Sequence, residues 1–386
     1  MNNIIKSSRV GKEAMVLGLY GSFSFISILH ASLLSIANLY RIFSIAVVAF
    51  SAVLLIWENR SLKVPVWKLL ISLSVLALFS IAAMVTDRSY LTAYVAFVLI
   101  ADRCDFKKIV KVSLIAALSA LTLILFFCLV GILTDHLYYG TGQRVAHCLG
   151  FSYYSRFPFI LFLCTIMFLY LRNRKTWLIY ALILVINFVV FYYTTLRLTY
   201  YLTFLLVFLD WLLGRMNKWD LSVGKWPVVS ACLYPICLAF TWLVMALYNP
   251  GNRFLAWLNT ALNNRIRLMH TGYSEYSVKL FGNYIAMRGN SALRDTIDYF
   301  YIDSGFAYSL LAYGLVFTIA VVFLYSSIFY YSCRTNNKNL FIWTFVIMVF
   351  TLVNNIWLSV TYNPLLMLSI PVLGEIRKQR RKSLRK

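Results

Sequence analysis

A long polar stretch, residues 249–303, interrupts a chain that is otherwise almost continuously apolar. Arg265, His270, Glu275 and Asp303 all fall in it. An imidazole titrates near working pH and a carboxylate can take a proton, so His270 and Glu275 are each candidate general bases. The guanidinium of Arg265 suits a two-pronged grip on phosphate. It continues a stripe made by Phe254, Trp257, Leu258, Ala261 and Leu262, the spacing of one helix face. A cation on that edge can bind a phosphate, cap the C-terminal dipole of its helix or reach lipid headgroups. Arg267 faces away, and Gly272 is expected to end the helix. Asp303 opens an apolar run, where an aspartate also serves as an N-cap. Asp295 and Asp298 have a spacing common on solvated helices, so no metal site is expected there.

Further candidate arginines lie outside this stretch. Arg197 sits alone in F-Y-Y-T-T-L-R-L-T-Y-Y, between two apolar runs with almost no loop. An arginine at a membrane edge is costly and points to function, though a tight turn in the headgroups also accommodates it. Arg144 belongs to the polar segment 134–156, together with His147 and Arg156.

The elements that must position these residues are membrane helices. Of 386 residues 61% are apolar and only 13% charged, a balance that fits a polytopic membrane protein and no water-soluble fold. About twelve spans (11–12) of roughly 20 residues can be drawn. They run at 15–37, 41–57, 66–85, 89–101, 109–133, 157–171, 176–194, 197–213, 226–248, 304–331, 339–354 and 361–376. The expected fold is therefore all-α, one membrane domain over 1–386, with 249–303 as a long extracytoplasmic loop carrying short helices and 134–156 as a second. The net charge of +23 does not indicate nucleic acid, because the basic residues sit in short loops between apolar runs. Counted from a cytoplasmic N-terminus, most Lys and Arg fall inside, including the tail R-K-Q-R-R-K-S-L-R-K at 377–386. Both termini are thus expected in the cytoplasm. The segments left outside hold arginines and a single lysine, Lys279, which hints at a phosphate-bearing ligand. The first apolar run is too long for a signal peptide and is expected to be retained. Cys148 alone among seven cysteines falls outside, and no C-x-x-C occurs, so neither disulfides nor zinc are expected.

R-V-A-H-C-L-G-F-S-Y-Y-S-R-F (144–157) resembles the arginine-rich, L-G-F-containing outer segment of Wzy-type bacterial O-antigen and capsular polysaccharide polymerases. T-T-L-R-L-T resembles the T-x-S-R-T which that family places between two spans, with Arg197 on the matching arginine and Leu196 replacing the usual serine. L-N-N-R-I-R, L-F-G and Y-I-D-S-G-F-A-Y-S-L-L-A-Y-G-L resemble the later Asn-Arg, Phe-Gly, Asp and Tyr-Gly pattern. Ser152-Tyr153-Tyr154 departs from the usual His-Pro-Asn. The resemblance covers roughly 140–320. It implies a metal-independent glycosyltransferase of the bacterial cytoplasmic membrane, without cofactor. Such an enzyme joins oligosaccharide repeats carried on undecaprenyl pyrophosphate at the outer face, in company with a flippase and a chain-length regulator. Arg144, Arg197 and Arg265 would then hold the pyrophosphate, and His270, Glu275 or Asp303 would take the acceptor's proton. Tyr138, Tyr139, Trp257 and Tyr273 can stack on sugars or belong to the interfacial aromatic belt. A glycan ligase shares the donor chemistry. A lipid-linked oligosaccharide flippase or other transporter is the non-enzyme alternative, although no internal repeat supports it. A glycosyltransferase with a carboxylate-bound metal in its first outer loop is not expected, because Asn38–Arg41 contains no acid.

Overall fold

A computed structural model describes residues 2–34, 36–62, 66–88, 90–139, 145–172, 176–216, 219–289 and 299–383. The chain is overwhelmingly helical. The first helices are α1 (Asn2–His30), α2 (Ala37–Leu62), α3 (Val66–Thr86), α4 (Tyr90–Ile100) and α5 (Phe106–Leu129). A small antiparallel hairpin follows, β1 (Leu137–Tyr139) with β2 (Val145–His147), pairing Tyr138 with Ala146. Then come α6 (Arg156–Leu171), α7 (Trp177–Thr194), α8 (Arg197–Arg215) and α9 (Trp226–Leu247). The polar stretch holds α10 (Arg253–Ala261) and α11 (Arg265–Tyr276). The chain closes with α12 (Gly305–Tyr308), α13 (Leu315–Arg334), α14 (Lys338–Val353) and α15 (Ser369–Ser383).

Seven helices among the described residues are long and apolar enough to cross a membrane. The apolar stretches Ser72–Thr86, Tyr90–Ile100, Arg156–Leu171 and Lys338–Val353 are shorter. α7 shows what surrounds the bundle. Of its 18 residues only Thr194 is buried, while Leu178, Leu182, Val185 and Phe188 are exposed. An apolar helix whose outer face is left uncovered belongs in lipid. The bundle has two ends. The α3–α4 turn, the paired strands β1 and β2, the α7–α8 turn and the described residues of 249–303 gather at one, here the loop end. The α13–α14 turn and the start of α5 mark the other, the tail end, where Lys108 pairs with Glu13 at 2.8 Å and Lys338 Nζ donates to the Met216 carbonyl at 2.6 Å.

The interior is aromatic. Tyr234 of α9 stacks on Tyr325 of α13 at 5.0 Å, and Tyr325 stacks on Trp357 at 5.1 Å. Each phenol is satisfied, Tyr234 by the Thr344 carbonyl at 3.0 Å and Tyr325 by the Trp357 carbonyl at 2.7 Å. Such bonds are obligatory where no water reaches.

Three expectations are corrected. The twelfth span, 361–376, is not one helix. Residues 354–363 run from the loop end into the core without regular structure, a short 3-10 turn follows at Pro364–Leu368, and α15 starts only at Ser369. N-N at 354–355 and N-P at 363–364 are breaker dipeptides that account for it. The exposed backbone groups of this stretch are met by side chains. Tyr20 donates to the Val360 carbonyl at 2.7 Å, and Asn363 bridges Trp343 Nε1 and the Trp357 carbonyl at 3.1 and 3.3 Å. The tenth span, 304–331, is interrupted by a π-helical turn at Ser309–Tyr313 and by Gly314 at φ 90°. The single helix expected through 254–265 breaks at Asn263 and Asn264, both in the left-handed region, so Gly272 lies inside α11 instead of ending a helix. Asn tolerates that conformation better than most residues. The all-α expectation fits this architecture, with β1–β2 a single small strand pair among the described residues.

Candidate active site

The break at Asn263-Asn264 makes Arg265 the first residue of α11. There its Nε donates to Asp303 Oδ2 at 3.0 Å, with the two side chains 26% and 24% exposed. Asp303 is free to do this because Ser304, not Asp303, caps α12, its Oγ accepting from the Ala307 amide. Burial lifts the Asp303 carboxyl above its ordinary range, and Arg265 beside it lowers it only in part. The other N–H groups of the guanidinium are not engaged by any described residue. The guanidinium thus keeps donors to spare beside the carboxylate, so a phosphate can bind the same cation.

Tyrosines line the same place. Tyr138 of β1 stacks on Tyr154 at 5.0 Å and meets Tyr153 edge-on at 5.6 Å. Tyr154 lies within electrostatic reach of Arg265 and Asp303. Tyr299 is coupled in the same way to Asp303, Arg265 and Tyr138. Burial raises the phenols of Tyr153 and Tyr154, which therefore stay protonated and can donate. An acid, a cation and flat amphipathic rings in one place can hold a phosphorylated sugar and take a proton from it.

Local folding explains how the pieces meet. In the stretch 134–156, Asp135 organises the chain, accepting from the Leu149 amide at 2.8 Å and pairing with His147 Nδ1 at 2.6 Å. Leu149 and Gly150 then turn at positive φ, delivering Tyr153 and Tyr154 to the start of α6. Burial pushes the Cys148 thiol up to about 12, so it offers no nucleophile at neutral pH. In the stretch 249–303, Gly282 packs backbone to backbone against Gly314. A Cβ on either would run into main-chain atoms of the other's segment, and both have positive φ. The Asn283 amide donates to the Ala312 carbonyl at 3.1 Å, and the Leu315 amide to Lys279 at 3.0 Å. The Phe-Gly and Tyr-Gly pairs picked out in the sequence are thus one contact, and it anchors the polar stretch on the bundle.

The remaining candidates are dispersed. His270 Nδ1 donates to the Met245 carbonyl at 2.9 Å, tying α11 to α9 and leaving only Nε2 open. Glu275 is exposed and ten residues along α11 from Arg265, about 15 Å of helix rise away. Arg197 is exposed at the start of α8, with no hydrogen bond or ion pair to a described residue. Arg144, Asp295 and Asp298 lie outside the described residues. Tyr139 and Trp257 are exposed on the surface, 71% and 64%. No group of His, Cys, Asp and Glu among the described residues is placed to hold a metal ion. Tyr153, Tyr154 and Tyr299 were not singled out as ligand-binding in the sequence. Only the Y-Y at 153–154 was visible there, as a departure from a family pattern.

Arg156, Arg197, Arg253 and Arg265 each open a helix, of α6, α8, α10 and α11. A cation at the positive pole of a helix is unfavourable by about 0.3–1 kcal/mol unless an anion is near. Their concentration makes the loop end attract anions. Comparison with protein-family models, with curated proteins and with solved structures finds no match for this chain.

Proposed function

We propose that this chain is a polysaccharide polymerase of a bacterial cytoplasmic membrane. It joins oligosaccharide repeats carried on undecaprenyl pyrophosphate, of the kind used for capsule or O-antigen. The observation that carries the reading is the Arg265–Asp303 pair at 3.0 Å among the tyrosines of the loop end. In this reading both termini face the cytoplasm, the loop end faces outward, and the interrupted segment 354–376 completes about twelve crossings.

A hydroxyl of the acceptor sugar attacks the anomeric carbon of the donor. The bond from that carbon to the pyrophosphate oxygen breaks, and the electron pair leaves with the pyrophosphate. The hydroxyl proton passes to Asp303. The charge that builds on the leaving group falls on the unengaged N–H groups of Arg265, as preorganised donors stabilise a developing anion. The pair also couples binding to basicity. A phosphate on Arg265 neutralises the charge that holds Asp303 down, so the carboxylate becomes a stronger base once the donor is bound. Tyr138, Tyr153 and Tyr154 stack against the sugars.

The interrupted segment 354–363 favours a second reading, a lipid-linked oligosaccharide transporter, because transporters bind at broken helices. Its carbonyls at Trp357 and Val360 are, however, already taken by Tyr325 and Tyr20. They are not open to a substrate, and the first reading is preferred. Lipid-linked products from a deletion strain test the choice. Single repeats exposed on the outer leaflet are expected, and repeats confined to the inner leaflet would support the transporter.

A further inference from the structure

α10 is folded with its apolar stripe outward. Phe254 and Trp257, one turn apart with ring centres separated by 6.1 Å, are 65% and 64% exposed, and Ala261 on the same stripe is exposed too. The inward side carries Asn259, which is only 5% exposed. A helix on a water-facing surface does the opposite, burying its apolar stripe and showing the polar one. Two neighbouring aromatic rings left open in this way mark a surface that something apolar covers.

The chain shows what covers it. α9 turns Ile236, Phe240, Leu243 and Leu247 outward, an apolar face at helical spacing that belongs in lipid as α7 does. Five residues, 248–252, separate α9 from α10. They turn tightly, the Asn252 amide donating to the Asn249 carbonyl at 3.0 Å. The Asn252 side chain then caps α10, accepting from the Phe254 and Leu255 amides at 3.0 and 3.2 Å. α10 therefore starts where a lipid-facing helix ends, at the depth of the headgroups. Charge agrees with that depth. Residues 249–274 contain Arg253, Arg265 and Arg267 and no acid, which suits phosphate headgroups beside an inserted apolar face.

Asn259 also ties α10 to Arg265. Its Nδ2 donates to Asn264 Oδ1 at 2.9 Å, its Oδ1 accepts from the Arg267 amide at 2.9 Å, and its carbonyl accepts from the Asn264 amide at 2.8 Å. These three bonds span the left-handed break at Asn263-Asn264 and make α10 and the start of α11 one piece.

We infer that α10 is an interfacial helix. Its Phe254–Trp257 face lies in the lipid leaflet at the loop end, and through Asn259 it sets the depth of Arg265 against the plane in which a lipid-linked pyrophosphate sits. The lipid seat stands without the polymerase reading, whereas the role given to Arg265 rests on it.

Photocrosslinking of the full-length protein in nanodiscs of phosphatidylethanolamine and phosphatidylglycerol tests the seat. Phe254→p-benzoylphenylalanine and Trp257→p-benzoylphenylalanine each keep an aromatic side chain at an exposed position. After irradiation, intact mass should show a phospholipid adduct for both, and none for Glu275→p-benzoylphenylalanine, where an exposed carboxylate marks water. No lipid adduct at 254 and 257 would overturn the seat. So would equal adducts at all three positions, or a crosslinked dimer, which would put a second copy on this face. Polymerisation on the same preparation tests the link to Arg265. Phe254→Ser with Trp257→Ser should cost ~10-fold or more at unchanged Tm, because small misplacements of a positioned group are expensive. Phe254→Trp with Trp257→Phe, which keeps the aromatic face, should restore the rate. Full activity of the double serine variant would overturn the link. Wild-type-like lipid labelling without any polymer would sink the polymerase reading and uphold the seat, whereas polymer without lipid labelling would do the reverse.

Discussion

Arg265 and Arg197 both open a helix at the loop end, yet the fold treats them differently. Arg265 follows a left-handed Asn pair, is three-quarters covered and is held by Asp303. Arg197 follows a left-handed Thr195, stands exposed at the tip of the α7–α8 pair and engages no described residue. Sequence alone makes them equals, two cations in apolar surroundings. What separates them is the neighbourhood, since α11 is tied into the bundle by His270, while α7 beside Arg197 faces lipid along nearly its whole length. A cation becomes a catalytic candidate when its orientation is set in advance.

The sharpest test is at the partner that Arg265 has and Arg197 lacks. Asp303→Asn keeps the shape and removes the base, and should lower the polymerisation rate by ~10³-fold, within the range for general-base catalysis. Arg265→Ala should cost ~10²-fold or more, the scale of one lost oxyanion donor, and Arg265→Lys should recover little because the planar fork is gone. Arg197→Ala should cost less than ~10-fold, the effect of a headgroup contact and of lost surface potential. An equal loss from both arginines, in protein present at equal level, would show that Arg197 joins the site when substrate binds and would break the contrast. Arg267→Ala, on an exposed position of α11, is expected to be tolerated.

A pH profile sharpens the same contrast. The Asp303 carboxyl is raised by burial, and it must be ionised to act as base. Activity should therefore rise with pH through a midpoint above the ordinary carboxylate range. Arg265 lowers that midpoint, so Arg265→Gln should move the residual activity's midpoint to higher pH. Arg197→Gln should leave it in place. A midpoint unaffected by Arg265→Gln would remove Asp303 from the role of base. Smallest in rate but visible in stability is Gly282→Ala, which forces a side chain onto the main chain near Ala312 at a φ of 87°. A loss of about 1–3 kcal/mol is expected, read as a lowered Tm in detergent.

The helices were legible because lipid imposes one rule, that every backbone group be satisfied within the protein, and hydropathy reports it. The interruptions were legible in principle. N-N at 263–264, N-N at 354–355 and N-P at 363–364 are all breaker signals, but an apolar average over a window hides them. The site was legible in half. Arg265 and Asp303 stand out as charges, whereas their pairing spans 38 residues and depends on an ion pair no local pattern encodes. Tyr153 and Tyr154 were masked by abundance, in a chain with 27 tyrosines.

The Gly282–Gly314 contact has a consequence for engineering. A loop that hung free between its two ends could be exchanged between enzymes as a cassette, carrying its sugar preference with it. This one is riveted to the bundle near its middle, and the rivet's other half belongs to the turn that launches α13. A transplanted loop would arrive without its mate. Under the proposed polymerase reading, altered specificity is therefore to be sought by point changes at the tyrosines, with residues 277–289 and 309–316 kept together as one unit.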